Sequence, residues 1–229
     1  MSLINTAIIL DGGSIPEHLD QNTPIILTEI NGKTLLHRKL NQLQIAGIKN
    51  VVISTYAQGE VYDEFINKIK DQYEDLNLYV SKEKNSLGSG GAIKNTMLNI
   101  NADIAMVLHG AFYIDTDLLE FIDFHNKNNC ENSILLAKEK NPSRKLYFKT
   151  EDHKITSVSR DKKDYEWVDA GIYIIQQSLF NITHLQKFSL SDEILIQNKH
   201  QLFHAMTTES KLYNILNQSS HKEMITDLK

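Results

Sequence analysis

Cysteine is almost missing from this chain: its 229 residues include one, Cys130. A lone cysteine closes no internal disulfide, and no apolar run approaches the ~20 residues that cross a membrane. Tryptophan occurs once and proline three times. No linker, low-complexity tract or internal repeat divides the chain, so one domain spanning residues 1–229 is expected. A surplus of positive charge is missing as well. The 24 Lys and Arg against 29 Asp and Glu leave a net charge of −5, which excludes the electrostatic footprint of a nucleic-acid binder or of a chain drawn to an anionic membrane. The nine histidines show no metal-ligand spacing. The first residues, MSLINTAIIL, carry no basic region ahead of their apolar run, so no signal peptide is read and a cytoplasmic protein is expected.

The most consequential shortage is local: no Arg or Lys precedes Lys33. The stretch Thr6 to Gly13, TAIILDGG, is an apolar β-run closed by two glycines. It reads as a buried strand feeding a loop, and loops at the carboxyl ends of parallel strands are where α/β folds bind ligands. Glycines let backbone come close to a ligand and leave N–H groups to hold it. The loop continues Ser14-Ile15-Pro16-Glu17-His18-Leu19, with no positive charge to attract phosphate.

What is present is a βαβ rhythm. Thr34 to Ala46 places Leu36, Leu40, Leu43 and Ala46 on one helical stripe before Gly47, and Asn50 to Thr55 is a second strand. Glu60 to Tyr73 carries Val61, Phe65, Ile69 and Tyr73 at helical spacing, and Leu76 to Ser81 is a third strand. A glycine loop, Leu87 to Gly91, opens a helix to about Ile100, and the strand Ile104 to Leu108 stops at His109-Gly110-Ala111. A helix over Asp115 to Lys127 follows, with Asp115 and Asp117 as capping residues. Strands then dominate: Ser133 to Lys138, Lys145 to Thr150, Ile155 to Arg160 and Val168 to Ile175. Helices near Leu179 to Leu185 and Ser191 to Asn198, strands Leu202 to Thr207 and Leu212 to Leu216, and a last helix complete the chain. Alternation of this kind predicts right-handed parallel crossovers.

The order of motifs resembles the sugar-1-phosphate nucleotidylyltransferase family, of the short bacterial type that serves nucleotide-sugar supply for surface polysaccharide. Asp11-Gly12-Gly13 stands where the family begins Ala-Gly-Gly-x-Gly-Thr-Arg-Leu, and Thr23-Pro24-Ile25-Ile26-Leu27 where it has Pro-Lys-Pro-Leu. Asn31-Gly32-Lys33, Ala46-Gly47-Ile48, Glu83 with Leu87-Gly88-Ser89-Gly90-Gly91, Leu108-His109-Gly110-Ala111 and Asp169-Ala170-Gly171-Ile172-Tyr173 follow in family order. The resemblance implies a three-layer Rossmann-like α/β fold with a mixed, largely parallel sheet. It places a nucleotide over the N-terminal half and a sugar phosphate over the C-terminal half. It also implies a reaction, attack of a sugar-1-phosphate oxygen on the α-phosphate of a nucleoside triphosphate with release of pyrophosphate, and magnesium as cofactor.

The residues that such chemistry uses are replaced. Displacement at phosphorus needs positive charge and a metal around the triphosphate. Here Glu17 stands for the loop arginine, Ile15 for the loop glycine and Ile25 for the lysine, while Ala111 and Asn214 stand for the two magnesium aspartates. Losing one preorganised charge-stabilising donor costs about 10²–10³ in rate. The substitutions therefore predict a chain impaired in transfer or without it, acting as a ligand-binding or regulatory relative, as a homo-oligomer or beside an active paralogue. The alternative is an active transferase in which Arg160, Lys33 or Lys94 supplies the charge and Asp11 holds metal.

Asp11, Gly12, Gly13, Glu83, Gly88, Ser89 and Gly110 are expected to bind the nucleotide, and Arg160, Asp169 and Gly171 the sugar phosphate. The glycines after Leu87 are read as a helix N-terminus whose N–H groups hold an anion, or as a plain loop. His109 is read as a surface or cap residue beside the site. A haloacid-dehalogenase reading of Asp11-Gly12-Gly13-Ser14 is excluded, because the nucleophile's position is Ile9.

Overall fold

The computed structural model describes residues 4–56, 59–138, 146–161 and 165–228. The N-terminal half follows the predicted rhythm through β1 (Thr6–Leu10), a small hairpin of β2 (Glu29–Ile30) and β3 (Lys33–Thr34), α1 (Leu35–Ile45), β4 (Asn50–Thr55) and α2 (Gly59–Ile69). It continues with β5 (Asn77–Lys82), α3 (Gly88–Asn99), β6 (Ile104–His109), β7 (Phe112–Ile114) and α4 (Leu118–Lys127). The C-terminal half holds β8 (Asn132–Lys138), β9 (Tyr147–Glu151), β10 (Lys154–Ser159), β11 (Trp167–Gln176), a π-helical segment (Leu190–Lys199), β12 (Phe203–Thr208), β13 (Leu212–Asn214) and α5 (Gln218–Asp227).

Nine strands form one sheet in the order β5-β4-β1-β6-β11-β8-β12-β10-β9. The first four are mutually parallel. β11 then runs antiparallel to both β6 and β8, so the two halves meet at a change of direction between β6 and β11. Strand alternation decides the layers. Ala7 and Ile9 of β1 face a core shared with α1, α2 and α4, whereas Ile8 faces the opposite core with α3 and the π-helical segment. Both faces of the sheet are covered, which is why its strands read as continuous apolar runs.

Local chemistry sets the element ends. Thr34 caps α1 by accepting from the His37 N–H, and Gly47, at φ 79°, follows its C-terminus. Asp117 caps α4 through the Leu119 N–H, as its capping role predicts. The expected stripe on α2 is shifted: Val61 is 39% exposed, whereas Tyr62 is fully buried. Four-residue steps drift from the true helical period, and the face holding Tyr62, Phe65, Ile66 and Ile69 turns inward. The helix expected from Leu179 is a 3₁₀ turn, Gln177–Ile182, and the helix expected from Ser191 is the π-helical segment. Lys145, the first residue of one predicted strand, lies outside the described residues. Among the described residues no helix is long and apolar enough to cross a membrane.

Candidate functional site

A two-lobed cleft lies along the carboxyl ends of β1 and β6 and over the β11 face. The smaller lobe, about 200 Å³, includes Asp11, Gly12, Gly13, Ser54, Tyr56, Glu83, Gly88 and Ser89. The larger, about 570 Å³, includes Phe112, Leu146, Arg160, Asp169, Tyr173, Asp192 and Asn214. Leu10, Ser89, His109 and Leu216 line both and form the waist between them.

Six of the seven residues expected at the nucleotide line the smaller lobe; Gly110 does not. A Cβ on Gly110 would lie 2.5 Å from the Leu10 carbonyl oxygen, so its smallness lets the β6 end close against β1. Gly12 and Gly13 differ. Neither has a positive φ, and a Cβ there would meet nothing nearer than 3.8 Å. Packing does not require them to be glycine, and both line the lobe.

The glycines of the second loop have another task. Gly90 and Gly91 both donate their N–H groups to the Phe188 carbonyl oxygen, at 3.0 and 3.2 Å. A Cβ on Gly90 would lie 2.2 Å from the Phe188 ring. The expected anion cradle is therefore occupied at these two amides by the chain's own Phe188 segment. Ser89 Oγ accepts from Leu190 N–H at 2.9 Å and continues that seam. Glu83 holds the loop from the other side, accepting from Ser54 Oγ at 3.2 Å and from Leu87 N–H at 3.1 Å.

In the larger lobe, Arg160 pairs with Asp192 across the mouth, and Arg160 with Ser189 holds the Asp192 carboxyl below its usual range. Asp169 accepts from Gly171 N–H at 2.7 Å and from Tyr173 Oη, so both carboxylate oxygens are engaged by its own strand. Gly171 does not line the cleft. At φ 70°, its missing Cβ leaves room for His109 and Phe112, which a Cβ would approach to 2.8 and 2.7 Å.

Beneath the waist lies a buried polar group. Lys39 on α1 is 2% exposed and donates to the carbonyls of His109, at 3.1 Å, and Phe112. Burial pulls its ammonium down to about 7, against the opposing pull of Asp11. The Asp11 carboxylate accepts from Tyr62 Oη and the Ile26 N–H, and burial pushes it up to about 7. His109 is half-buried, its ring stacked 4.4 Å from that of Phe112, with Nδ1 enclosed and unpartnered among the described residues. That enclosure and the charge of Lys39 lower the imidazole to about 4.

The structure brings the replaced magnesium positions together. β13 pairs antiparallel with β7, and Ile215 N–H donates to the Ala111 carbonyl at 3.1 Å. Ala111 has no ligand atom in its side chain, and Asn214 Oδ1 already accepts from Leu216 N–H at 3.0 Å. No group of three or more His, Cys, Asp or Glu able to hold a metal ion occurs among the described residues. These residues do not fit a divalent ion. Of the three cations considered as replacements, only Arg160 lines the cleft. Lys94 Nζ donates to the Thr183 carbonyl, and Lys33 sits exposed in the β2–β3 hairpin.

Three site residues escape the sequence reading, and a fourth, His109, has another role than the one read. Lys39 lies between Leu36 and Leu40 on the apolar stripe of α1, and Tyr62 at the inward turn of α2; helical period signals both. His109, read as a surface or cap residue beside the site, lines both lobes and forms part of the waist. Nothing in the sequence marks Tyr56, which is 51% exposed and lines the smaller lobe.

Fold and cleft define a mixed α/β protein of the nucleotide-diphospho-sugar transferase type. The chain belongs to the nucleotidyl transferase family, whose sequence pattern matches residues 6–218. It is 29% identical over 201 residues to the D-glycero-alpha-D-manno-heptose 1-phosphate guanylyltransferase of Campylobacter jejuni, covering 86% of this chain and 87% of that protein. It is 28% identical over 183 residues to a mannose-1-phosphate guanyltransferase of Yarrowia lipolytica, 76% of this chain and 49% of that relative. The chain thus spans about half the length of the latter. The crystal structure of HddC from Yersinia pseudotuberculosis shares the fold, with a TM-score of 0.83 at 21% identity over 99% of this chain and all of that one. HddC complexed with GMP-PN superposes with a TM-score of 0.82 at 22% identity.

Proposed function

We propose that this chain binds a nucleotide sugar, with the nucleoside in the lobe of Gly12, Gly13 and Tyr56 and the sugar in the lobe of Arg160 and Asp169. On this reading it serves nucleotide-sugar metabolism as one nucleotidyltransferase-like unit. The observation that carries it is the contrast among the motif glycines. Those in the second loop, Gly110 and Gly171 are each crowded within 3.0 Å, whereas a Cβ on Gly12 or Gly13 would make only ordinary contacts at 3.8 Å or more, and both line the smaller lobe. Small residues that packing does not need, at the end of a parallel strand, keep room for a ligand. Tyr56 adds an exposed aromatic face on which a base can stack.

The relatives are named for guanylyl transfer, and the similarity to the Campylobacter heptose enzyme over most of both chains favours a second reading, an active transferase. In that reaction a sugar-1-phosphate oxygen bonds to the α-phosphorus of the triphosphate and the bond to the β-phosphate breaks. Pyrophosphate leaves with its charge. The side chains at Ile25, Ala111 and Asn214 stabilise little of that charge, so transfer is expected to be slow against binding. Thermal-shift titration with GDP-, UDP-, ADP-, CDP- and dTDP-sugars tests the binding, and pyrophosphate release from matched triphosphates and sugar 1-phosphates tests the transfer. Stabilisation by one nucleotide sugar is expected. Turnover at rates ordinary for enzymes, about 1 per second or faster, would establish the second reading.

A further inference from the structure

Four residues line both lobes, and a ligand that reaches from the nucleoside lobe into the sugar lobe must pass all of them. Leu10 and Leu216 offer no polar side-chain atom, and Ser89 Oγ, which accepts from Leu190 N–H at 2.9 Å and so is held on that seam, keeps one hydroxyl proton to donate. The other polar side chain, and the one ring among the four, is the imidazole of His109. Its Nδ1 is enclosed and unpartnered among the described residues, and the residue lines both lobes, so Nε2 is the ring nitrogen left to meet a ligand. The ring cannot easily swing away. It is stacked on Phe112 at 4.4 Å and 24°, and Gly171 fits behind the pair because it lacks a Cβ. Lys39, bonded to the His109 carbonyl at 3.1 Å, is only 2% exposed and cannot itself reach a ligand.

We infer that His109 is the specificity-determining contact for the phosphate bridge of a nucleotide sugar, donating a hydrogen bond from a neutral Nε2–H at the waist of the cleft. The inference rests on the binding function proposed above. A neutral ring carries one proton, and an N–H at Nδ1 would be an enclosed donor without acceptor, whereas at Nε2 it meets the ligand. A neutral donor suits a bridge in a cleft that lacks the usual cations: it orients the phosphate without adding charge to a half-enclosed site. The preorganised ring also spares the ligand the cost of ordering it.

The experiment compares His109→Ala and His109→Asn with the unmodified chain, by calorimetric titration with the nucleotide sugar that shifts melting most and with its nucleoside alone. Loss of a hydrogen bond to a charged acceptor predicts about tenfold to hundredfold weaker nucleotide-sugar binding for His109→Ala. Nucleoside affinity is expected to stay within about twofold, because the base and ribose do not reach the waist. His109→Asn, which keeps an N–H donor, is expected to recover part of the loss. Far-UV circular dichroism and melting of each variant separate a folding defect from a binding one. Equal losses for nucleoside and nucleotide sugar, or full nucleotide-sugar affinity in folded His109→Ala, would overturn the role of His109 alone. If the unmodified chain binds no nucleotide sugar, the proposed function fails and the inference fails with it.

Discussion

Replacing Asp11 by Asn probes the buried polar group under the cleft. Asp11 is 7% exposed at the end of β1, and burial raises its carboxyl from 3.8 to about 7 against the pulls of the Ile26 N–H and Lys39. Because the folded value lies above the unfolded one, the folded chain binds more protons than the unfolded chain between those limits. The resulting stability is fully present below about pH 4 and is lost as pH rises through about 7. A shift of roughly three units corresponds to about 4 kcal/mol. Lys39 reduces what is recovered on removing the charge, since near neutrality its ammonium loses an anionic neighbour. Asp11→Asn is therefore expected to gain about 1–3 kcal/mol relative to the unmodified chain as pH rises from 5 to 8.

The comparison has to be a difference, because other groups slope the opposite way. His109 and His125 are lowered from 6.5 to about 4 by burial, so the unfolded chain binds more protons in that window and stability rises with pH. Those contributions are common to both chains and cancel. Urea denaturation of both at pH 5, 6, 7 and 8, followed by circular dichroism and the fluorescence of Trp167, gives the curve. Parallel stability profiles for the two chains would refute the buried-carboxylate argument.

Three further outcomes follow from the site. Gly90→Ala puts a Cβ 2.2 Å from the Phe188 ring, and overpacking of that kind costs about 1–3 kcal/mol, read as a lower urea midpoint. The double change Ala111→Asp with Asn214→Asp sets two carboxylates where β7 and β13 meet. Its stabilisation by a nucleoside triphosphate is expected to grow with magnesium, while that of the unmodified chain does not; equal melting shifts in both would refute this. Arg160→Gln breaks an ion pair whose partners are 52% and 51% exposed, so stability is expected to change by less than about 1 kcal/mol while affinity for a sugar phosphate falls, measured by calorimetry.

Much of the fold was legible because strands and helices advertise their period. β1, β4 and β6 are apolar runs ended by polar or glycine residues, and α1 shows its stripe directly. Motif order led to the family, which the match over residues 6–218 bears out. The catalytic impairment expected from Glu17, Ile25, Ala111 and Asn214 has no such support, since the relatives are named as transferases. Cleft chemistry was less legible. A glycine in a sequence does not say what stands against it: Gly12 faces a cavity, Gly90 a phenylalanine ring and Gly171 the backs of His109 and Phe112.

From the linear chain alone come the alternation of elements, the family likeness and the absence of cations in the first loop, since each depends on neighbours in sequence or on residue type. The three-dimensional arrangement decided the rest. Lys39 under the waist, Tyr62 on Asp11 and Phe188 seated on the glycine turn join residues 51 to 98 positions apart. Their properties follow from desolvation and contact, quantities that exist only once the sheet has been covered on both faces.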